Sequence, residues 1–184
     1  MGFESFTTGI ENSLELHQND IEKFRASQAA NFEKVFQNRT FAEGTEPRHI
    51  TTINEKFAGE KINGVTYARK IFELNGELVE GVFPIFESKF NVKLPENMYQ
   101  ASDNEQMRYC TAQLAERIDR NPKLASRFTA RQLEQIRNGE PRISGLTWHH
   151  NESPGLMQLV DANDHTSARH TGGRSLWGGG GESR

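Results

Sequence analysis

Hydrophobic and polar positions along the chain change period several times, and each change marks an element. Ile10, Leu14, Ile21, Phe24, Phe32 and Phe36 recur at roughly helical spacing among Glu, Lys, Asn and Gln, which predicts a polar helix over residues 9–37. Residues 38–50, with Gly44 and Pro47, read as a linker. Residues 65–95 read as extended. Asn75-Gly76 between two apolar-rich runs is a two-residue hairpin signal. Pro84, inside the second run, predicts an edge strand or a break there. Helices resume at residue 103, where Ser102 and Glu105 have the spacing of a capping box. Met107, Cys110, Leu114 and Ile118 make its apolar stripe. Asn121-Pro122 opens another turn, and Thr129 with Gln132 caps a further helix whose Leu133 and Ile136 face inward. Gly139 and Pro141 stop it.

The last quarter changes character again. Leu146–His149 reads as a short strand, Asn151–Gly155 as a turn, Leu156–Val160 as a second strand, and 161–169 as helical, capped by Asp161 or Asn163. Gly172-Gly173 ends that run, and Gly178–Gly181 reads as a flexible tail. The fold class expected is α+β: helices, a small hairpin or sheet region, and a C-terminal strand–turn–strand–helix unit over about 145–173. The organisation expected is an N-terminal helical extension and linker at 1–50, followed by one domain at 51–184.

Composition narrows the function. A chain of 184 residues with 34% hydrophobic and 26% charged residues and a mean hydropathy of −0.75 has no run long enough to span a bilayer. The first residues have neither a basic nor an apolar leader region, so export is expected through a specialised system or as part of a larger delivered chain. The single cysteine, Cys110, excludes an internal disulfide and a multi-cysteine zinc site, and its place on an apolar stripe suits an inert core thiol. The overall charge of −3 conceals a division: residues 1–107 carry 11 Lys+Arg against 17 Asp+Glu, while 108–184 carry 11 against 8. Ten of the C-terminal cations are Arg, the side chain suited to bidentate phosphate contacts. Four of the six histidines (His149, His150, His165 and His170) fall in the last 36 residues.

Successive strand residues point to opposite faces, so one of His149 and His150 can face the helix and its histidines while the other faces outward to a substrate. Three convergent neutral imidazoles with an open fourth position suit Zn²⁺ or a similar divalent ion. A fourth, unligated histidine can act as a general base near neutral pH. An arginine, Arg169 or Arg174, can neutralise charge on phosphorus. Trp148 reads as core.

Trp148-His149-His150, Gly155, Met157-Gln158-Leu159-Val160, His165 and His170-Thr171-Gly172-Gly173 together resemble the His-Asn-His (ββα-metal, or His-Me finger) nucleases. The resemblance is strongest to the Trp-His-His, colicin-DNase-like domains at the C-termini of polymorphic bacterial toxins. Gly81–Phe86, Leu94-Pro95-Glu96 and Ser175–Gly180 extend it, so that it covers roughly residues 55–181 and leaves 1–50 outside. It implies His149, His165 and His170 as metal ligands and His150 as general base. It implies one divalent ion (zinc first, with magnesium, manganese or nickel as alternatives), DNA as the target, and a cognate immunity protein as partner. Action in the cytoplasm of a target cell is implied with these.

Two departures stand out. The central Asn is missing from the second strand; Gln158 stands nearest its place, with Asn151 and Asn163 as rivals. His165 and His170 are five residues apart, about 500° on an ideal helix, and cannot share one helical face. Either the helix ends before His170, as the Thr171-Gly172-Gly173 stop supports, or the ligand set differs. The competing functions are the same site acting on RNA, and a zinc-stabilised interaction module with no catalysis.

Overall fold

The computed structural model describes residues 46–183, as one unit; the helix expected over 9–37 and most of the expected linker lie outside them. The end of that linker is strand. β1 (Arg48–His49) runs parallel to β4 (Glu77–Ile85), pairing with Val79 and Glu80. β2 (Lys61–Ile62) and β3 (Val65–Leu74) complete a four-stranded sheet of order β1-β4-β3-β2.

The long β3–β4 hairpin turns at Asn75 and Gly76, both at positive φ (53° and 84°), so Leu74 faces Glu77 across a two-residue turn. Pro84 does not break β4. It pairs with Tyr67 on one side, and β1 reaches only as far as Glu80 on the other, so Pro84 needs no donor where it sits.

β5 (Ser88–Lys93), β6 (Leu146–His150) and β7 (Leu156–Asp161) form a second sheet, antiparallel, of order β5-β7-β6. Across it His149 faces Gln158 and Asn91, while His150 faces Met157 and Val92. Facing residues share a side, so the two histidines of the doublet lie on opposite faces of this sheet.

α1 (Asp103–Arg120) starts in the expected capping box: Ser102 accepts from the Glu105 amide, and Glu105 accepts from Ser102. Such a cap is worth about 1 kcal/mol. α2 (Ala130–Arg137) is capped in the same way by Thr129 and Gln132. α1 lays Cys110, Leu114 and Ile118 into a core shared with Phe83, Val92, Leu94, Ile136, Trp148, Met157 and Leu159. Trp148 is 2% exposed, and its indole donates to Thr111 Oγ1 at 3.1 Å, which fixes α1 against β6.

α3 (Ala162–Ser167) follows β7 without a loop. Asp161, not Asn163, is its cap, accepting from the amides of Asn163 and Asp164. α4 (Gly173–Leu176) follows, and a 3-10 turn (Gly180–Ser183) overlaps Gly178–Gly181, where a flexible tail was expected. Trp177 is buried and donates to the Asn151 carbonyl at 2.8 Å, anchoring this end of the chain to the β6–β7 turn. Among the described residues no helix is long and apolar enough to cross a membrane.

Candidate functional site

The β6–β7 hairpin and α3 place three histidines together. His149 leaves the middle of the hairpin, His165 stands on α3, and His170 stands in the segment after it. One ring nitrogen from each lies within 4.8 Å of the others. The five-residue spacing is resolved by the end of α3 at Ser167, which frees His170 from the helical repeat. His170 then curls back: its Nδ1 lies 2.5 Å from the Ala168 carbonyl, and its Nε2 lies 3.3 Å from Nδ1 of His149. A carbonyl oxygen only accepts, so Nδ1 of His170 carries the hydrogen and Nε2 carries the lone pair. That tautomer is the one a metal ligand needs.

Phe86, at the end of the β3–β4 hairpin, closes the cluster on one side. Its ring centroid is 4.9 Å from that of His149 and 5.5 Å from those of His165 and His170. Burial holds all three imidazoles neutral. The proton affinity of His149 is pushed well down, first by burial and then by His170, His165, Lys70 and His150. His165 is lowered to about 4, by burial and then His170. His170 is lowered by burial and by Lys70, against the opposing effects of the Ala168 carbonyl and Glu152. Three neutral, convergent nitrogen donors, one of them oriented by a backbone carbonyl, fit a borderline cation such as Zn²⁺.

His150 does not face outward. It lies on the other side of β6, 8% exposed, against α1. Its Nε2 is 2.6 Å from Gln106 Oε1, and its ring stacks obliquely on Trp177 at 5.6 Å. Trp148 shares that face, and the packing of α1 over it covers His150 as well. Gln158 lies on the His149 side and accepts from Asn151 Nδ2 at 3.0 Å. Asn151 Oδ1 in turn accepts from the Ser153 amide. Gln158 and Asn151, offered as rivals by the sequence, thus act as partners bracing one turn, while Asn163 belongs to the start of α3. The side chain of Arg169 is exposed, and its carbonyl accepts from Asn54 Nδ2 at 2.6 Å. Arg174 is not available to phosphate: it is 4% exposed, donates to the carbonyls of Tyr99 and Ala101, and pairs with Asp103 at 3.1 Å.

Sequence reasoning missed four neighbours of the site. Phe86 reads as an ordinary strand residue. Gln106 reads as polar surface, although it sits four residues before Cys110 on the buried stripe. Lys70 and Glu152 form an ion pair at 2.7 Å, with Glu152 7% exposed, and Lys70 also donates to the Pro84 carbonyl. Of the four, only Phe86 stood among the residues that carry the resemblance, and Glu152 lay in the expected Asn151–Gly155 turn.

The sequence model of one protein family matches residues 75–172, more than half of the chain. The family is described as the DNase/tRNase domain of colicin-like bacteriocin. No curated protein and no solved structure matches the chain.

Proposed function

The chain belongs to the colicin-like bacteriocin DNase/tRNase domain family, a family of nucleic-acid hydrolases, and from that membership we propose a metal-dependent endonuclease. It cleaves phosphodiester bonds of DNA with little sequence specificity, as an antibacterial toxin effector acting in the cytoplasm of a target cell. The observation that carries this reading is the convergence of His149, His165 and His170 on one point.

In this reading those three residues hold one divalent ion, zinc being the best match to neutral imidazoles, with magnesium, manganese and nickel as alternatives. When bound, the ion supplies charge for a nonbridging phosphate oxygen and for the departing 3′-oxygen. The resemblance assigns the base to His150, which would take a proton from water, although the fold places it 8% exposed on the face of β6 opposite the triad. Gln158, through Asn151, keeps the turn after His150 in place. Arg169, next to His170 and exposed, meets the phosphate charge. Little specificity follows because such contacts reach phosphate rather than base edges.

The family description names both DNases and tRNases. The histidine cluster supports DNA. RNA carries a 2′-hydroxyl that can attack its own phosphate, whereas DNA must be attacked by water, the step a metal–imidazole site serves. Plasmid nicking and digestion of total RNA, each with wild type and His150→Ala, test the proposal. Nicking that disappears in the variant supports it, and RNA digestion without nicking moves the target to RNA. Loss of the fold in both His149→Ala and His150→Ala, with no cleavage by wild type, supports a structural zinc instead.

An acidic immunity protein is the expected partner, meeting the Arg-rich C-terminal half. Delivery by a specialised secretion system or within a larger toxin is proposed on the same family grounds.

A further inference from the structure

The C-terminal half of α1 passes beside β5, which is an edge strand of the second sheet among the described residues. Between them runs a groove of about 350 Å³. Gln113, Glu116, Arg117 and Arg120 recur at helical spacing and form its α1 wall, while Phe90 and Lys93 belong to its β5 wall. Cations in the last turn of a helix suit its dipole wherever they point. Arg117 and Arg120 are exposed, and both line the groove. Lys93 donates to the Pro154 carbonyl, in the β6–β7 turn. Lys89, which donates to the Arg127 carbonyl, continues the positive line at the other end of β5. Glu96 and Glu116 offset part of that charge. Glu116 pairs with Arg120, but both side chains are more than half exposed, so the pair is weak and opens readily to a phosphate.

The groove is continuous with the histidine site. Asn91, which also lines it, faces Gln158 on β7, and Gln158 faces His149 on β6, so the three share one face of the sheet. Two strand spacings separate Asn91 from His149, about 10 Å, or roughly three phosphate steps along one strand of duplex DNA.

We propose that this groove holds the sugar-phosphate backbone of duplex DNA a few nucleotides from the bond that is cleaved. The proposal rests on the reading of the domain as a DNase. Lys93, Arg117 and Arg120 meet phosphate oxygens, which positions the duplex and adds affinity without reading its sequence. An acidic protein surface would meet the same charge, but the row from Asn91 to His149 puts the groove on the path of a strand seated at the histidines.

Fluorescence anisotropy on the full chain in the cold, with a chelator present to prevent cleavage, measures binding of a short fluorescein-labelled DNA duplex at several salt concentrations. Arg117→Gln with Arg120→Gln is expected to weaken binding about 10–30-fold at physiological salt and to reduce the slope of log K against log salt by about 1.8, the loss of two phosphate contacts. Lys93→Gln alone is expected to reduce the slope by about 0.9. With metal restored, the double variant is expected to show a raised KM for plasmid nicking and a retained kcat. Arg48→Gln, on the other sheet, is expected to change neither affinity nor slope. Wild-type affinity and slope in the double variant overturn the proposal and leave the groove to an acidic protein. A loss seen with an RNA duplex and not with DNA overturns it as well. Failure of the DNase reading is distinguishable: it shows as absence of nicking by wild type, whereas the groove is read in chelator, without cleavage.

Discussion

Nε2 of His170 lies 3.3 Å from Nδ1 of His149, while the other nitrogen of His170 is tied to the Ala168 carbonyl. Burial keeps both rings neutral. Two lone-pair nitrogens left this close repel unless a hydrogen or a cation lies between them. His149→Ala and His170→Ala are each expected to lower zinc affinity at least 10–100-fold, the usual effect even of losing a ligand's supporting partner. Calorimetric titration with zinc measures this. A chelator should lower the melting temperature of wild type and leave that of His149→Ala unmoved, since binding to the folded site adds to folding stability. Equal melts with and without chelator in wild type would count against a metal here.

Acid should unfold the metal-free protein through the same rings. His165 titrates near 4 in the fold and near 6.5 in an unfolded chain. Between those values the unfolded state binds more protons, so stability falls as pH falls. His149 and His170 are lowered too and add to the slope in the same direction. The expected result is a melting temperature that is flat above about pH 6.5 and declines steadily towards pH 4. His165→Ala should flatten that decline. A melting temperature that rises over the window would show the rings to be charged in the fold.

Gly173 begins α4 under the β6–β7 turn. A methyl group there would stand 1.9 Å from the Asn151 carbonyl oxygen and 2.4 Å from the Trp177 indole nitrogen, the two atoms whose hydrogen bond anchors the C-terminal segment. Gly173→Ala is expected to cost about 3 kcal/mol or more, because neither backbone nor buried indole can yield. Urea unfolding measures it. A neutral substitution would mean that α4 is not seated as described.

Cys110 is 0% exposed, and burial pushes its thiol up to about 12. Native protein at pH 8 is expected to resist alkylation, and the rate should rise only as urea unfolds the chain. Rapid native labelling would expose α1 as loosely packed.

Much of the architecture was legible because local rules decided it. Asn75-Gly76 made a hairpin since both residues tolerate positive φ, and Ser102 and Thr129 opened helices since their hydroxyls meet amides that lack partners. The histidine cluster was legible as a set of residues, but its geometry depended on where α3 stops. The bland segment Ser167-Ala168-Arg169 decided that, by leaving the helix in time for His170 to turn back. The burial of His150 was not legible. It follows from α1 crossing β6, a tertiary event announced only by Gln106 sitting one turn ahead of Cys110. Polar residues on a buried stripe look like surface to a periodicity argument. The same blindness hid Lys70, whose partner Glu152 is 82 residues away.

That pair supports a last prediction. Glu152 is almost fully buried beside the histidines, and Lys70 reaches it from the other sheet at 2.7 Å. Removing one member of a buried pair strands the other's charge, at about 3–5 kcal/mol. Lys70 is about a quarter exposed in its side chain, so water softens the penalty and the lower end of that range applies. Lys70→Met is therefore expected to cost about 3 kcal/mol, and Lys70→Met with Glu152→Leu distinctly less, because the double change leaves no charge to desolvate. A double-mutant cycle in urea measures the coupling. Nicking by the double variant adds a second reading. If Lys70 serves only to neutralise Glu152, recovery of stability brings recovery of kcat. If kcat stays low in a protein of restored stability, the ammonium group beside His149 and His170 acts on the phosphate as well. Additive costs for the two single changes would show that the pair is not coupled and that solvent screens it.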